Sequence, residues 1–282
     1  MKKILIAVSI ILIPCFLYAG FKRDGVDNLT TTSGKVDGIN VGKVDGQEVT
    51  AGGGSGHSKS DPNLKGLWYF ENNLTDETSN NSDLTADGTV SYESSSPDPK
   101  QGTYSILLES TNDECVYCGA SCTESNFEVT GPFSFGGWFY PANDTDHLVA
   151  GGKHGTSGDY GWKVNFRGDS GDSIGFYVSS NGTAWTGNYT QSDVFDAGNW
   201  YHVVCVYDGS YLRIYINASE VDDAVWPISY SSGINVSSTD FTIGGCSYDA
   251  GYEWDGNMDE IFFFDDALTA EEISNIYTNG FS

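Results

Sequence analysis

A chain of 282 residues with a formal net charge of −26 has room for one full sandwich core, and its charge repels nucleic acid and anionic membrane surfaces. Only six basic residues lie from Lys65 onward (Lys65, Lys100, Lys153, Lys163, Arg167 and Arg213), against all but six of the 39 acidic ones. A field of that sign attracts divalent cations and equally serves solubility.

The chain opens with Lys2 and Lys3, an apolar run from Ile4 to Leu17, and Leu17–Tyr18–Ala19, the pattern of a bacterial-type secretory signal over residues 1–19. The run is shorter than the ~20 residues of a membrane span, and no later segment replaces it. The expected product is therefore exported, either secreted or held at the cell surface. Residues 20–60 are rich in Gly, Thr, Ser and Asp and read as a linker that cannot bury enough surface to fold alone. Within it, Gly34–Val41 and Gly42–Val49 form a tandem octapeptide, similar to the Val-Asp-Gly repeats of phage-tail and surface fibres. Two copies are too few for a solenoid, so the segment reads as a spacer, with homo-oligomerisation through the repeat as its competing role.

The folded domain is expected over residues 61–282. Seven Trp, 17 Tyr and 15 Phe fall in short runs separated by Gly, Asn, Asp and Ser, which predicts an all-β chain. Strands are predicted at Gly66–Phe70, Tyr104–Leu108, Phe133–Tyr140, Trp162–Phe166 and Ser173–Val178, the last two alternating so that one face is buried. Residues 72–87 read as a polar loop. Trp200–Tyr207 and Tyr211–Asn217 flank Asp208–Gly209–Ser210 and predict a hairpin, because Asp-Gly supplies the positive φ of a tight turn. One helix is predicted from Ala270 to about Tyr277, with Thr269 as N-cap, Glu272 closing a capping box and Gly280 as terminator. Trp138, Trp162 and Trp200 lie in strand patterns and are assigned to the core.

Five cysteines remain after residue 19. Cys205 and Cys246 lie in two apolar runs and are expected to pair if those strands are neighbours. Cys115, Cys118 and Cys122 can hold only one internal bridge. A zinc site there lacks a fourth ligand in the nearby sequence.

The order Phe241–Gly245, Trp254–Phe264, Ala267–Ile273, together with Trp200–Val204 and Tyr215–Asn217, resembles the closing segment and central hairpin of laminin-G-like (pentraxin-like) jelly rolls of the concanavalin A-like lectin and glucanase superfamily. The resemblance implies an antiparallel jelly-roll β-sandwich with one short C-terminal helix packed on it. It also implies a structural Ca2+ approached by Asp76, in the oxygen-rich loop Asn73–Asn80, and by Asp259.

The superfamily includes glycoside hydrolases, which need two facing carboxyls. Glu220–Asp222–Asp223 and Asp259–Glu260 come nearest, and both lack the second Glu at strand spacing. No nucleophile elbow, His-Glu-x-x-His or phosphate loop is present. The expectation is non-catalytic. A sugar-binding face uses flat aromatics beside Asn and Asp, and three inter-strand loops offer them: Trp185, Asn188 and Tyr189; Tyr248, Tyr252 and Trp254; and Trp226. The reading is an adhesive, lectin-like module for a polysaccharide or glycoprotein glycan. A structural fibre or surface-layer component and a divergent glycoside hydrolase are the competing readings.

Overall fold

The computed structural model describes residues 56–282 except 170 and 247–250, and before them only the backbone of three strands. The expected signal peptide over residues 1–19 lies outside the described residues. Residues fall into two units, Met1–Gly53 and Gly54–Ser282. In the first, β1 (Gly34–Val36), β2 (Ile39–Val44) and β3 (Gln47–Val49) form an antiparallel meander in which Val36 pairs with Ile39 and Val44 with Gln47. The expected spacer therefore carries paired strands.

The second unit contains β4 (Leu64–Trp68), β5 (Thr85–Asp87), β6 (Ser91–Glu93), β7 (Ser105–Leu108), β8 (Cys115–Tyr117), β9 (Phe133–Pro141), β10 (His147–Lys153) and β11 (Trp162–Arg167). It continues with β12 (Ser173–Val178), β13 (Thr186–Tyr189), β14 (Tyr201–Tyr207), β15 (Tyr211–Ile216), β16 (Ser219–Glu220), β17 (Ile228–Ser229), β18 (Thr242–Ile243), β19 (Gly256–Phe264) and the helix α1 (Ala270–Asn279). A seven-stranded sheet runs β13-β12-β11-β10-β18-β8-β5. A nine-stranded sheet runs β16-β15-β14-β9-β19-β7-β6, with β17 on β15 and β4 on β19. All pairings among these strands are antiparallel, as the jelly-roll expectation requires. Among the described residues no helix is long and apolar enough to cross a membrane.

The two sheets bury one aromatic-rich core between them, including Trp68, Phe133, Phe135, Trp162, Phe241 and Phe263. Strict alternation places these residues. Along β14, Val203, Cys205 and Tyr207 enter this core, while Val204 and Val206 enter a second, smaller one. The second core lies under α1, where Ile273 and Ile276 meet Phe262 and Phe264 of β19. The helix begins and ends as its sequence dictates. Thr269 accepts from the Glu272 N–H, the Glu272 carboxylate accepts from the Thr269 N–H, and Gly280 caps the C-terminus at φ 65°.

Three expectations need correcting. The domain starts before residue 61: His57 bridges Phe281 in parallel, and its N–H donates to the Gly280 carbonyl at 2.8 Å, so the two ends of the second unit meet. Trp138 and Trp200 are only half-buried, because inward-facing Phe133, Phe135 and Phe139 force Trp138 to the other side of β9, against Tyr277 and His202. The Cys205–Cys246 pairing does not form. Cys246 follows β18, which pairs with β8, so it meets Cys115. Cys118 bridges Cys122, and Cys205 is a buried thiol in the other sheet.

Peptide mapping without reduction is expected to recover Cys115–Cys246 and Cys118–Cys122, with Cys205 alkylated only after unfolding. Cys246→Ala is expected to cost about 2–5 kcal/mol of stability in denaturant unfolding, since the bridge closes a span of 131 residues.

Candidate glycan-binding face

Strand β11 carries Trp162, Val164 and Phe166 into the core, so Lys163, Asn165 and Arg167 occupy the opposite face of the seven-stranded sheet. The antiparallel register sets their neighbours. Lys163 lies across from Tyr177 on one side and Gly152 on the other. Asn165 lies across from Gly175, which in turn faces Tyr189 on β13. Arg167 lies across from His147.

An unbroken row of rings covers this face. Tyr160 stacks on Trp185 with centroids 4.5 Å apart and planes 18° apart. Trp185 meets Tyr177 at 6.5 Å, Tyr177 meets Tyr189 at 5.4 Å, Tyr189 meets His147 at 5.9 Å, and His147 meets Tyr252 at 4.8 Å. All of these separations lie near the range of favourable aromatic pairs. Tyr252 is 48% exposed, and Trp185, Tyr160, Tyr177 and Tyr189 are half-buried. His147 Nε2 lies 2.7 Å from the Tyr189 hydroxyl and 2.6 Å from Asn165 Nδ2, which fixes the rings at that end. Burial pushes the Tyr177 and Tyr189 phenols above their ordinary range, so both keep their protons.

Gly175 makes room for the row. A Cβ there would sit 2.7 Å from the Tyr189 ring and 2.8 Å from the Tyr177 ring. Two cations overlie the same rings: Lys163 Nζ is 5.4 Å from the centre of Trp185, and Arg167 Cζ is 5.2 Å from that of Tyr189. Arg167 Nε donates to Asp169 at 2.8 Å, which raises the guanidinium's proton affinity further.

This row unites Trp185, Tyr189 and Tyr252 from the expected loops and leaves the others out. Trp254 is fully buried against Phe139 and Phe166, and Trp226 is equally internal. Both loops turn their largest ring into the sandwich, where burying it is worth most. Asn188 pairs with Phe176, a core residue, so it belongs to the other face of β13 from Tyr189; its Oδ1 accepts from the Tyr189 N–H. Tyr248 lies outside the described residues. Tyr160, Tyr177, His147, Asn165, Lys163 and Arg167 were not singled out from sequence. The alternation Trp-Lys-Val-Asn-Phe-Arg in β11 marks the polar face, but nothing local says which strands flank it.

Asp76 and Asp259, the expected calcium ligands, are each held by hydrogen bonds from the protein. Asp76 Oδ1 accepts from the Leu67 and Thr78 N–H groups (3.1 and 3.0 Å), and Oδ2 from the Thr78 hydroxyl and the Ser82 N–H (2.8 and 2.9 Å). Four protein donors consume the lone pairs that a cation needs. Asp259 sits at a bulge in β19, where the strand's second neighbour changes from β7 to β4. Its Oδ2 accepts from the Lys100 and Gln101 N–H groups at 2.6 and 2.8 Å, and its Oδ1 is buried without a partner. Among the described residues the only trio of ligating side chains within reach of one point is Cys118, Cys122 and Glu124, and its two sulfurs are already bonded to each other.

Desolvation, with the neighbouring Glu260 charge adding to it, pushes the Asp259 carboxyl up to about 8; desolvation pushes Glu260 up to about 7. Glu260 occupies the left-handed region at φ 49°, a conformation fixed by the bulge. Both carboxyls are buried beside α1, closed to a substrate.

With this geometry established, a family model described as the concanavalin A-like lectin/glucanases superfamily matches residues 117–274. The chain belongs to this superfamily. Its matched segment runs from the end of β8 into α1 and contains every residue of the aromatic row. No curated protein matches the sequence. The chain is similar in structure to domain 4 of AbnA, an extracellular GH43 arabinanase from Geobacillus stearothermophilus in complex with arabinotriose (TM-score 0.58, 17% identity, 76% of this chain and 98% of that one). It is also similar to the binding domain of botulinum neurotoxin DC in complex with SialylT (0.57, 16%, 77% and 51%) and to that of Paraclostridial mosquitocidal protein 1 (0.55, 16%, 76% and 52%). The chain spans about half the length of these two toxin domains. At such identities the likeness is one of fold.

Folding raises the affinity of Asp259 and Glu260 for their protons above that of the unfolded chain. Their contribution to stability is therefore complete below about pH 4 and is lost as pH rises through 7 to 8. His202, held down to about 3 by burial, acts oppositely and loses its contribution as pH falls from about 6.5. Two carboxyls outweigh one imidazole, so the melting midpoint is expected to drop between about pH 5 and pH 8, and Asp259→Asn to flatten that slope. Calcium or a chelator is expected to leave the midpoint unchanged at neutral pH; a calcium-dependent rise would restore a cation to this region.

Proposed function

We propose that the domain is a non-catalytic glycan-binding module that lays a saccharide chain along the aromatic row of the seven-stranded sheet. The observation that carries this reading is the row itself: six rings in successive contact, from Tyr160 to Tyr252, on the face turned away from the core. Rings already held by one another lose little conformational entropy on binding, and their apolar faces match those of sugar rings. His147 and Asn165 bring polar groups among them. The superfamily membership and the saccharide-bound AbnA domain support the same reading. The buried, adjacent Asp259 and Glu260 give a glycosidic bond no access to a catalytic pair. We further propose that the module works outside the cell, where its two bridges persist.

Binding to a panel of polysaccharides, followed by calorimetry on those retained, tests this. Trp185→Ala is expected to lower affinity about three- to tenfold, the worth of one aromatic contact, with the melting midpoint preserved. Trp254→Ala is expected to cost about 3–5 kcal/mol of stability instead, because it opens the core. Full affinity in the folded Trp185→Ala protein would exclude the row as the binding face.

A further inference from the structure

The rings of this face are set out along one strand. Tyr177 lies across from Lys163 of β11, Tyr189 stands at the level of Asn165 because both face Gly175, and His147 lies across from Arg167. Successive rings therefore stand two residues further along β11. Tyr160, just before β11, starts the series. Tyr252 extends it past β10, where its carbonyl accepts from the Val149 N–H at 2.7 Å. The chain takes seven steps from Tyr160 to Arg167. At ~3.3 Å per step that is a length of up to ~23 Å.

A site for a single terminal sugar gathers its contacts around one point. Here the ring contacts run in series, and both ends of the series open onto exposed residues. Thr156, Ser157, Thr183 and Ala184 are exposed around Tyr160 and Trp185, and Tyr252 itself is 48% exposed at the other end. A chain lying on the row can therefore continue beyond it in both directions. The charges argue for an uncharged ligand. Lys163 and Arg167 brace Trp185 and Tyr189 and are engaged within the protein, Arg167 by Asp169 at 2.8 Å. The net charge of −26 meanwhile repels a polyanion.

We propose that the face holds an internal, extended stretch of a neutral polysaccharide, with about four or five consecutive sugars lying along β11 over the ~23 Å of the row. The proposal rests on the row being the binding face. Each sugar that reaches another ring adds an apolar contact, while the loss of translational and rotational freedom is incurred once for the whole chain. Affinity then climbs with chain length until the row is covered. Short chains settle on Trp185, the largest ring of the row and the one stacked on Tyr160, and only longer ones reach Tyr252.

The test is calorimetry on the full chain at about 0.15 M salt. The probes are linear arabino-, xylo-, gluco- and manno-oligosaccharides of about two to eight units, with oligogalacturonates as the acidic counterpart. In the series that binds, affinity is expected to rise at least about tenfold between two and five units and then to level off, with the galacturonates weaker. Tyr252→Ala is expected to lower the affinity of the longest members about threefold and to leave the shortest unchanged, whereas Trp185→Ala weakens them all, both at an unchanged melting midpoint. Two-unit chains bound as tightly as the longest, and still through Trp185, would overturn the extended-chain reading and leave the binding face in place. Galacturonates bound more tightly than every neutral series would overturn the neutral preference. Binding unaffected by Trp185→Ala, or no binding to any probe, would overturn both the proposal and the face on which it rests.

Discussion

Strand β19 is the constraint on which the rest of the domain depends. All nine of its residues are buried, because it is lined on both edges and covered on both faces. Met258, Ile261 and Phe263 fill the sandwich, while Phe262 and Phe264 form the floor under α1. The extra residue at its bulge lets one strand pair with β7 over its first half and β4 over its second. Asp259 covers the junction by holding the N–H groups of Lys100 and Gln101, and the cost is a carboxyl that stays protonated near neutrality. In this chain Asp259 thus ties the strand junction to the backbone of Lys100 and Gln101.

The two sheets treat their outer faces differently. On the nine-stranded sheet, α1 covers part of the face with Ile273 and Ile276 and completes a second core. On the seven-stranded sheet the face is covered by its own side chains, rings laid flat enough that Gly175 has no room for a Cβ. A surface built this way exposes contiguous aromatic area without collapsing it, because each ring is braced by the next. That difference leaves the seven-stranded sheet with the aromatic outer face on which the proposed binding rests.

Much of the fold was legible along the chain. The alternation in β11 and β12, the Asp208–Gly209 hairpin and the capping box at Thr269 each depend on residues within a few positions of one another, and each appears where the pattern puts it. Errors arose wherever the answer lay with a distant neighbour. Cys205 lies within one apolar run and Cys246 ends another, which makes them look like partners, but β18 and β14 lie in different sheets. Trp254 and Trp226 stand in loop-like sequence beside Asn, Asp, Gly and Pro, and both point inward. Residues 186–189, read as loop, became the edge strand that brings Tyr189 beside Tyr177.

By itself, the sequence determined the in-and-out alternation of strands such as β11 and β12, where the helix starts and stops, and that the domain is all-β with an excess of negative charge. These are properties of periods two and 3.6 and of local capping. Only the tertiary structure decided which strands are neighbours, and with that the disulfide pairs, the fate of each loop tryptophan and the assembly of the aromatic row. His147, Tyr160, Tyr177, the Trp185–Tyr189 stretch and Tyr252 come from five separate segments, and a sheet's side-by-side order is set by long-range packing that no local pattern encodes.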